Sequence, residues 1–107
     1  MTTFDNREKA AEGKYVHDEE MKFKAEARRN KHLGIWAAGL LGKSGADADA
    51  YAKTVIAADF QEVGDEDVFR KLRADFDAAG VTVADTEIRQ QMVTLLAQSL
   101  VEVKAGL

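Results

Sequence analysis

The chain contains no cysteine and no proline, and only 7% of its residues are aromatic. It also has no apolar run near the ~20 residues that a membrane-spanning helix requires. Without cysteine there is no disulfide framework, thiol nucleophile, redox pair or cysteine-based zinc site. Without proline the commonest helix breaker is missing. Few aromatics, with Ala, Glu, Lys, Leu, Asp and Arg dominating, starve a β-sheet and suit helices. Residues 1–14 are charged, so they lack the apolar core of a signal peptide. What is present is 107 residues (11.7 kDa), 46% hydrophobic and 32% charged, which fits one small globular domain. The expectation is an all-α, cytoplasmic chain with no direct membrane insertion.

Charge and apolar spacing divide the chain. Residues 1–43 carry nine basic and seven acidic side chains, and the remainder six basic and twelve acidic, within a net charge of −4. Residues 20–41 hold Phe23, Ala27, Leu33, Ala37, Leu40 and Leu41 near one helical stripe, and Asp18 with Lys22 and Glu20 with Lys24 have the favourable acid-first i,i+4 order. Gly42 and Gly45 mark a helix end and a turn. A second helix is expected over 46–59, with Tyr51, Ala52, Val55 and Ile56 inward. A third starts at an Asp65 cap and buries Val68, Leu72 and Phe76, with outward pairs Glu66–Arg70 and Asp67–Lys71. Gly80 ends it. A fourth, capped by Asp85, turns Ile88, Met92, Leu95, Leu96, Leu100 and Val103 inward. Four helices and short connections predict an antiparallel four-helix bundle over residues 20–107. Residues 1–19 read differently: Phe4, Ala11 and Tyr15 make a thin stripe, and Gly13 costs about 1 kcal/mol relative to alanine. A short helix without packing is marginal in water, so this segment is expected to be weakly ordered alone, latently helical, and able to fold on a partner.

Several strings invite a chemical reading. Residues 37–44, Ala-Ala-Gly-Leu-Leu-Gly-Lys-Ser, fit a relaxed phosphate-loop pattern with alanine for the first glycine. A working loop follows a strand and opens a helix, so that N–H groups converge on phosphate, whereas this string closes a helix whose C-terminus repels anions. The acidic stretch 59–67 lacks calcium-loop ligands, with Gln61, Val63 and Arg70 where oxygen donors are needed. His17 and His32 have no second imidazole or thiolate at metal-binding spacing. No spacing singles out a catalytic pair and no cofactor is expected. Residues 22–32 hold five cations and one acid with Trp36 a turn beyond. Lys22, Lys24, Arg28, Arg29 and Lys31, with Lys43, therefore form a possible phosphate or partner contact, and an alternative reading is a helical module that binds nucleotide or, less readily, nucleic acid. Trp36 is expected in the core.

The run 25–30 (Ala-Glu-Ala-Arg-Arg-Asn), Leu33-Gly34, residues 36–43, Tyr51-Ala52, Val55, Asp59-Phe60 and residues 64–72 resemble the ζ subunit of alphaproteobacterial F-type ATP synthases. The opening Met1-Thr2-Thr3-Phe4-Asp5 with Arg7 and Glu8 is similar too, so residues 1–77 are covered; the last helix matches in length and amphipathicity more than in letters. The resemblance implies a non-enzymatic four-helix inhibitor of ATP hydrolysis by the catalytic head. In that family the N-terminal segment orders as a helix in an α/β catalytic interface near the γ stalk and blocks rotation, while the globule anchors it. Carried over, inhibition falls on residues 3–15, with Phe4 and Tyr15 as apolar contacts and Arg7, Lys9 and Lys14 facing acids of the head. Ordering about fifteen residues from full disorder would cost roughly 15–30 kcal/mol of backbone entropy, so extensive contact and nascent helicity are both required.

Overall fold

In the computed structural model the backbone is described over residues 3–59 and 64–107, and side chains over 18–59 and 64–107. The elements there are four helices: α1 (Thr3–Leu40), α2 (Gly45–Ala58), α3 (Glu66–Ala79) and α4 (Asp85–Lys104). α1 does not begin near residue 20. It runs 38 residues without a break, so the latent helicity expected of the N-terminal segment is continuous with the bundle's first helix. Neither Gly13 nor Gly34 nor Gly39 interrupts it, since an isolated glycine weakens a helix by about 1 kcal/mol and does not sever it. At ~1.5 Å per residue such a helix spans roughly 57 Å. The long axis of the molecule is accordingly 65 Å against 25 and 21 Å for the others. Its radius of gyration, 17.4 Å, exceeds the ~13 Å of a compact chain of this length.

Three helix ends close in the same way. Gly42, Gly80 and Gly106 have φ of 77°, 71° and 78°, a left-handed conformation costly for other residues. At the first, the Gly42 N–H donates to the Gly39 carbonyl (3.2 Å) and the Lys43 N–H to that of Ala38 (2.8 Å), the paired bonds of a Schellman motif. The phosphate-loop-like string is therefore the end of α1, as its context indicated, and its carbonyls point where a phosphate would need N–H groups.

α1 is the spine: α2 and α4 both pack along it, and α3 closes the bundle against α2 and α4. The core joins Leu33, Ala37, Tyr51, Val55, Val68, Leu72, Phe76, Ile88 and Met92, with Trp36 and Leu95 packed against it. The Trp36 ring meets Phe76 edge-on at 5.7 Å, so the tryptophan belongs to the core as expected. The inward stripe of α1 differs from the one read off hydrophobicity. Ala25, Arg29, Asn30, Leu33, Ala37 and Ala38 are buried, whereas Phe23 is 60% exposed and Leu40 is exposed as well. Two helices on different sides of α1 select a broad stripe of small residues plus a polar Arg-Asn pair, which an apolarity reading passes over. At Gly34 the two backbones come close: a Cβ there would lie 2.5 Å from the Ala52 Cα and 2.9 Å from its Cβ.

Capping and pairing also shift. Asp65 precedes α3 as predicted but makes no side-chain cap bond, because its carboxylate faces Arg29 at 3.0 Å. The N-cap of α4 is Ala84, one residue before Asp85, whose carboxylate takes the Arg73 guanidinium at 2.9 Å instead. Glu66 pairs with Arg89 across the α3–α4 contact (3.0 Å), Lys71 pairs with Asp75 (2.9 Å), and Asp67 is buried and not turned outward. The ion pairs Asp18–Lys22 and Glu20–Lys24 are not formed among the described residues; exposed pairs of this kind contribute little, and the helix stands without them.

Candidate functional site

Phe4, Arg7, Lys9, Lys14 and Tyr15 all fall within the first four turns of α1, and their side chains lie outside the described residues. The remaining site candidates separate once α1 is placed in the bundle. Lys22 and Lys31 are exposed, and Lys43 is exposed in the turn after α1. Among the described residues none of these three lysines forms an ion pair. Arg28 is half-buried and reaches α4, ion-pairing with Glu102 at 3.8 Å and donating a hydrogen bond to the Leu107 carbonyl oxygen.

Arg29 points inward and retains only 1% of its surface. Its guanidinium lies 3.0 Å from Asp65 and 3.9 Å from Asp59, and its Nε donates to Asn30 Oδ1 at 3.0 Å. Asn30 in turn donates to Asp59 Oδ2 at 2.9 Å. A buried guanidinium requires paired carboxylates, and here both come from the connection between α2 and α3. The acidic residues 59 and 65, which invite a calcium reading, thus hold that connection against α1. Among the described residues no group of three or more His, Cys, Asp and Glu is placed to hold a metal ion. Arg28 and Arg29, adjacent in sequence, do different things: one latches α4, the other the α2–α3 connection.

His32, placed on the surface by its sequence context, is one-third exposed and sits 2.8 Å from Glu102. That contact, then the Gln98 hydrogen bond, holds the Glu102 carboxyl below its usual range, with smaller help from the charge of Arg28. Between α2 and α3, Tyr51 donates to Asp75 Oδ2 at 2.6 Å. Burial, and then that carboxylate, push the Tyr51 phenol far above its ordinary value.

What remains accessible on α1 is a mixed surface. Phe23 stands out from the helix, Lys24 and Lys31 flank it along one side, and Ala27 lies between them. Apolar spacing assigns both Phe23 and Ile56 to the core, whereas Phe23 is exposed, Ile56 is half-buried, and the two line one small depression beside α1. A period of 3.6 fixes which residues share a face and does not fix which face is covered. No described helix is long and apolar enough to cross a membrane.

Comparison with known proteins supplies the rest. The family model described as ATPase inhibitor subunit zeta matches residues 1–102. No curated protein matches the chain. A small protein solved by solution NMR is 46% identical, with a TM-score of 0.72, over 81% of this chain and 99% of its own. A match over residues 1–102, which takes in α1, α2, α3 and most of α4, together with the same fold in a solved relative, decides the matter: the chain belongs to the ATPase inhibitor subunit zeta family, inhibitor subunits that act on the F-type ATP synthase.

Proposed function

We propose that this chain is a non-catalytic inhibitor of ATP hydrolysis whose N-terminal segment, residues 3–15, enters an α/β catalytic interface of the head beside the γ stalk as a helix and blocks rotation, with Phe4 and Tyr15 as apolar contacts and Arg7, Lys9 and Lys14 facing acids. The bundle from residue 20 onward anchors it. The protein works in the cytoplasm, at the inner face of the membrane through the synthase.

The observation that carries this reading is the family match over residues 1–102, joined to a first helix that continues well past the bundle core. The innermost α1 residue nearest its N-terminus in the described core is Ala25, some twenty residues after the helix begins. A helical extension attached to a separately packed globule suits insertion: it reduces the backbone entropy left to lose on binding, which for full ordering would be ~1–2 kcal/mol per residue. It also separates the inhibiting segment from the part that keeps the protein folded.

The test is ATP hydrolysis by a purified alphaproteobacterial catalytic head lacking its own zeta subunit, titrated with the full chain and with a copy starting at Glu20. Inhibition by the full chain and none by the truncated copy, with the truncated copy folded by circular dichroism, is the expected result. Undiminished inhibition by the truncated copy would move the inhibitory segment into the bundle.

A further inference from the structure

Two open depressions of about 420 and 430 Å³ lie next to each other along α1 and share Ala27 and Arg28 in their linings. The first is bounded by Phe23, Lys24 and the C-terminal end of α4, the second by Lys31, His32 and Ile56 of α2. They form one shallow groove with a small floor residue, Ala27, and apolar walls from Phe23 and Ile56. Such a floor lets a neighbouring helix approach closely, and a 60% exposed phenylalanine beside it is the type of apolar anchor that docking surfaces present.

The charges around the groove are unequal. Glu102, the acid on its α4 wall, is already engaged by His32 at 2.8 Å and Arg28 at 3.8 Å. Lys24 and Lys31 are exposed at its two ends and have no ion pair among the described residues. Along the Lys24–Lys31 side the groove is therefore positive in a chain of net charge −4, while Glu26 and Asp59 line the small adjoining depression that Phe23, Ala27 and Ile56 share, Asp59 being held there by Asn30 and Arg29. A second copy of this acidic chain would bring net repulsion to most approaches, whereas an acidic segment of a different protein would meet cations left unpaired for it.

Building on the inhibitor reading above, we propose that this groove is the anchoring surface of the bundle, and that it takes an acidic, apolar-faced segment of the F-type ATP synthase: Phe23, Ala27 and Ile56 receive the apolar face, and Lys24 and Lys31 pair with its acids. The site is separate from the N-terminal inhibitory segment, so it sets how tightly the inhibitor is held and leaves the block itself unchanged.

Three full-length variants test this against the purified catalytic head: Lys24→Glu with Lys31→Glu, Phe23→Ser, and, as a control outside the groove on exposed α4 positions, Val93→Ser with Val101→Ser. All change exposed side chains, and unchanged thermal melts verify their folding. Direct binding and half-inhibition of ATP hydrolysis are measured at two salt concentrations. The expected result is about tenfold or greater weakening by the charge reversal with loss of its salt dependence, several-fold weakening by Phe23→Ser, full inhibition by both at saturation, and no change in the control. Groove variants that bind within about twofold of the parent overturn the site while leaving the inhibitor reading intact. A groove that instead mediates self-association, with dimerisation lost in the charge reversal and head binding unaffected, overturns it as well. A parent chain that neither binds nor inhibits the head defeats the inhibitor reading and the groove assignment together.

Discussion

Gly34 and Gly39 provide a sharp test of how α1 and α2 are fitted together. Both lie in α1, Gly34 in its interior and Gly39 in its last turn, and within a helix alanine is favoured over glycine by up to about 0.5–1 kcal/mol. At Gly39 a Cβ meets nothing within 4 Å, so Gly39→Ala should raise stability by about that amount. At Gly34 the added Cβ would sit 2.5 Å from the Ala52 Cα, a backbone atom that no rotamer change can move. The two helices must part, and overpacking of this kind costs roughly 1–3 kcal/mol. Since the propensity term favours alanine at both positions and, if anything, more at Gly34, any deficit of Gly34→Ala reports the clash, and it should be less stable than Gly39→Ala by roughly 1–3 kcal/mol. Thermal and urea unfolding measure it, with each kcal/mol worth roughly 4–8 °C in a domain of this size. Adding Ala52→Gly to Gly34→Ala should restore only part of the loss, because it removes the 2.9 Å Cβ contact and leaves the 2.5 Å backbone contact. Equal stability of the two alanine variants would refute the close approach of α1 and α2 at this point.

The Arg29 cluster makes a prediction with the opposite emphasis. Arg29→Met keeps the aliphatic volume and leaves two carboxylates with side-chain exposures of 20% and 46% that can rehydrate, while Asp59→Asn with Asp65→Asn strands a guanidinium that is 1% exposed. The double variant should therefore lose more stability in urea unfolding, on the order of 3 kcal/mol, than the single one; the reverse order would mean that Arg29 is hydrated. Tyr51 governs the alkaline limit. Its phenol is held protonated in the fold by burial and by Asp75, so it ionises more readily in the unfolded chain; the stabilisation is fully present below pH ~10 and declines as pH rises above it. In the Tyr15→Phe background, absorbance at 295 nm should show no phenolate near pH 10 while the chain is folded, and Tyr51→Phe should flatten the alkaline loss of stability.

Much of this molecule can be read along the chain. Composition without proline or cysteine leaves helices as the available structure. Gly42 and Gly80 mark the ends of α1 and α3 because only a residue that tolerates positive φ closes a Schellman turn cheaply, and Val68, Leu72 and Phe76 are buried at the helical spacing that announces them. The family resemblance, carried by letters dispersed over residues 1–77, also needs no coordinates.

Tertiary structure decided what the period could not. Helical spacing groups residues into faces, but only the neighbours show which face is covered, and α1 has two of them; this is why Phe23 stands in solvent and Arg29 does not. It is also why Asp65 and Asp85 make no side-chain cap bond, since each carboxylate is taken by a guanidinium from another element, at 3.0 and 2.9 Å. The groove at Ala27 belongs to this second category: its lining comes from α1, α2 and the C-terminal end of the chain, residues as far apart as Phe23 and Leu107, and no local pattern joins them. Local sequence selects helices because their hydrogen bonds and caps are local, whereas surfaces for partners are made where distant helices meet, and those contacts exist only in the folded bundle.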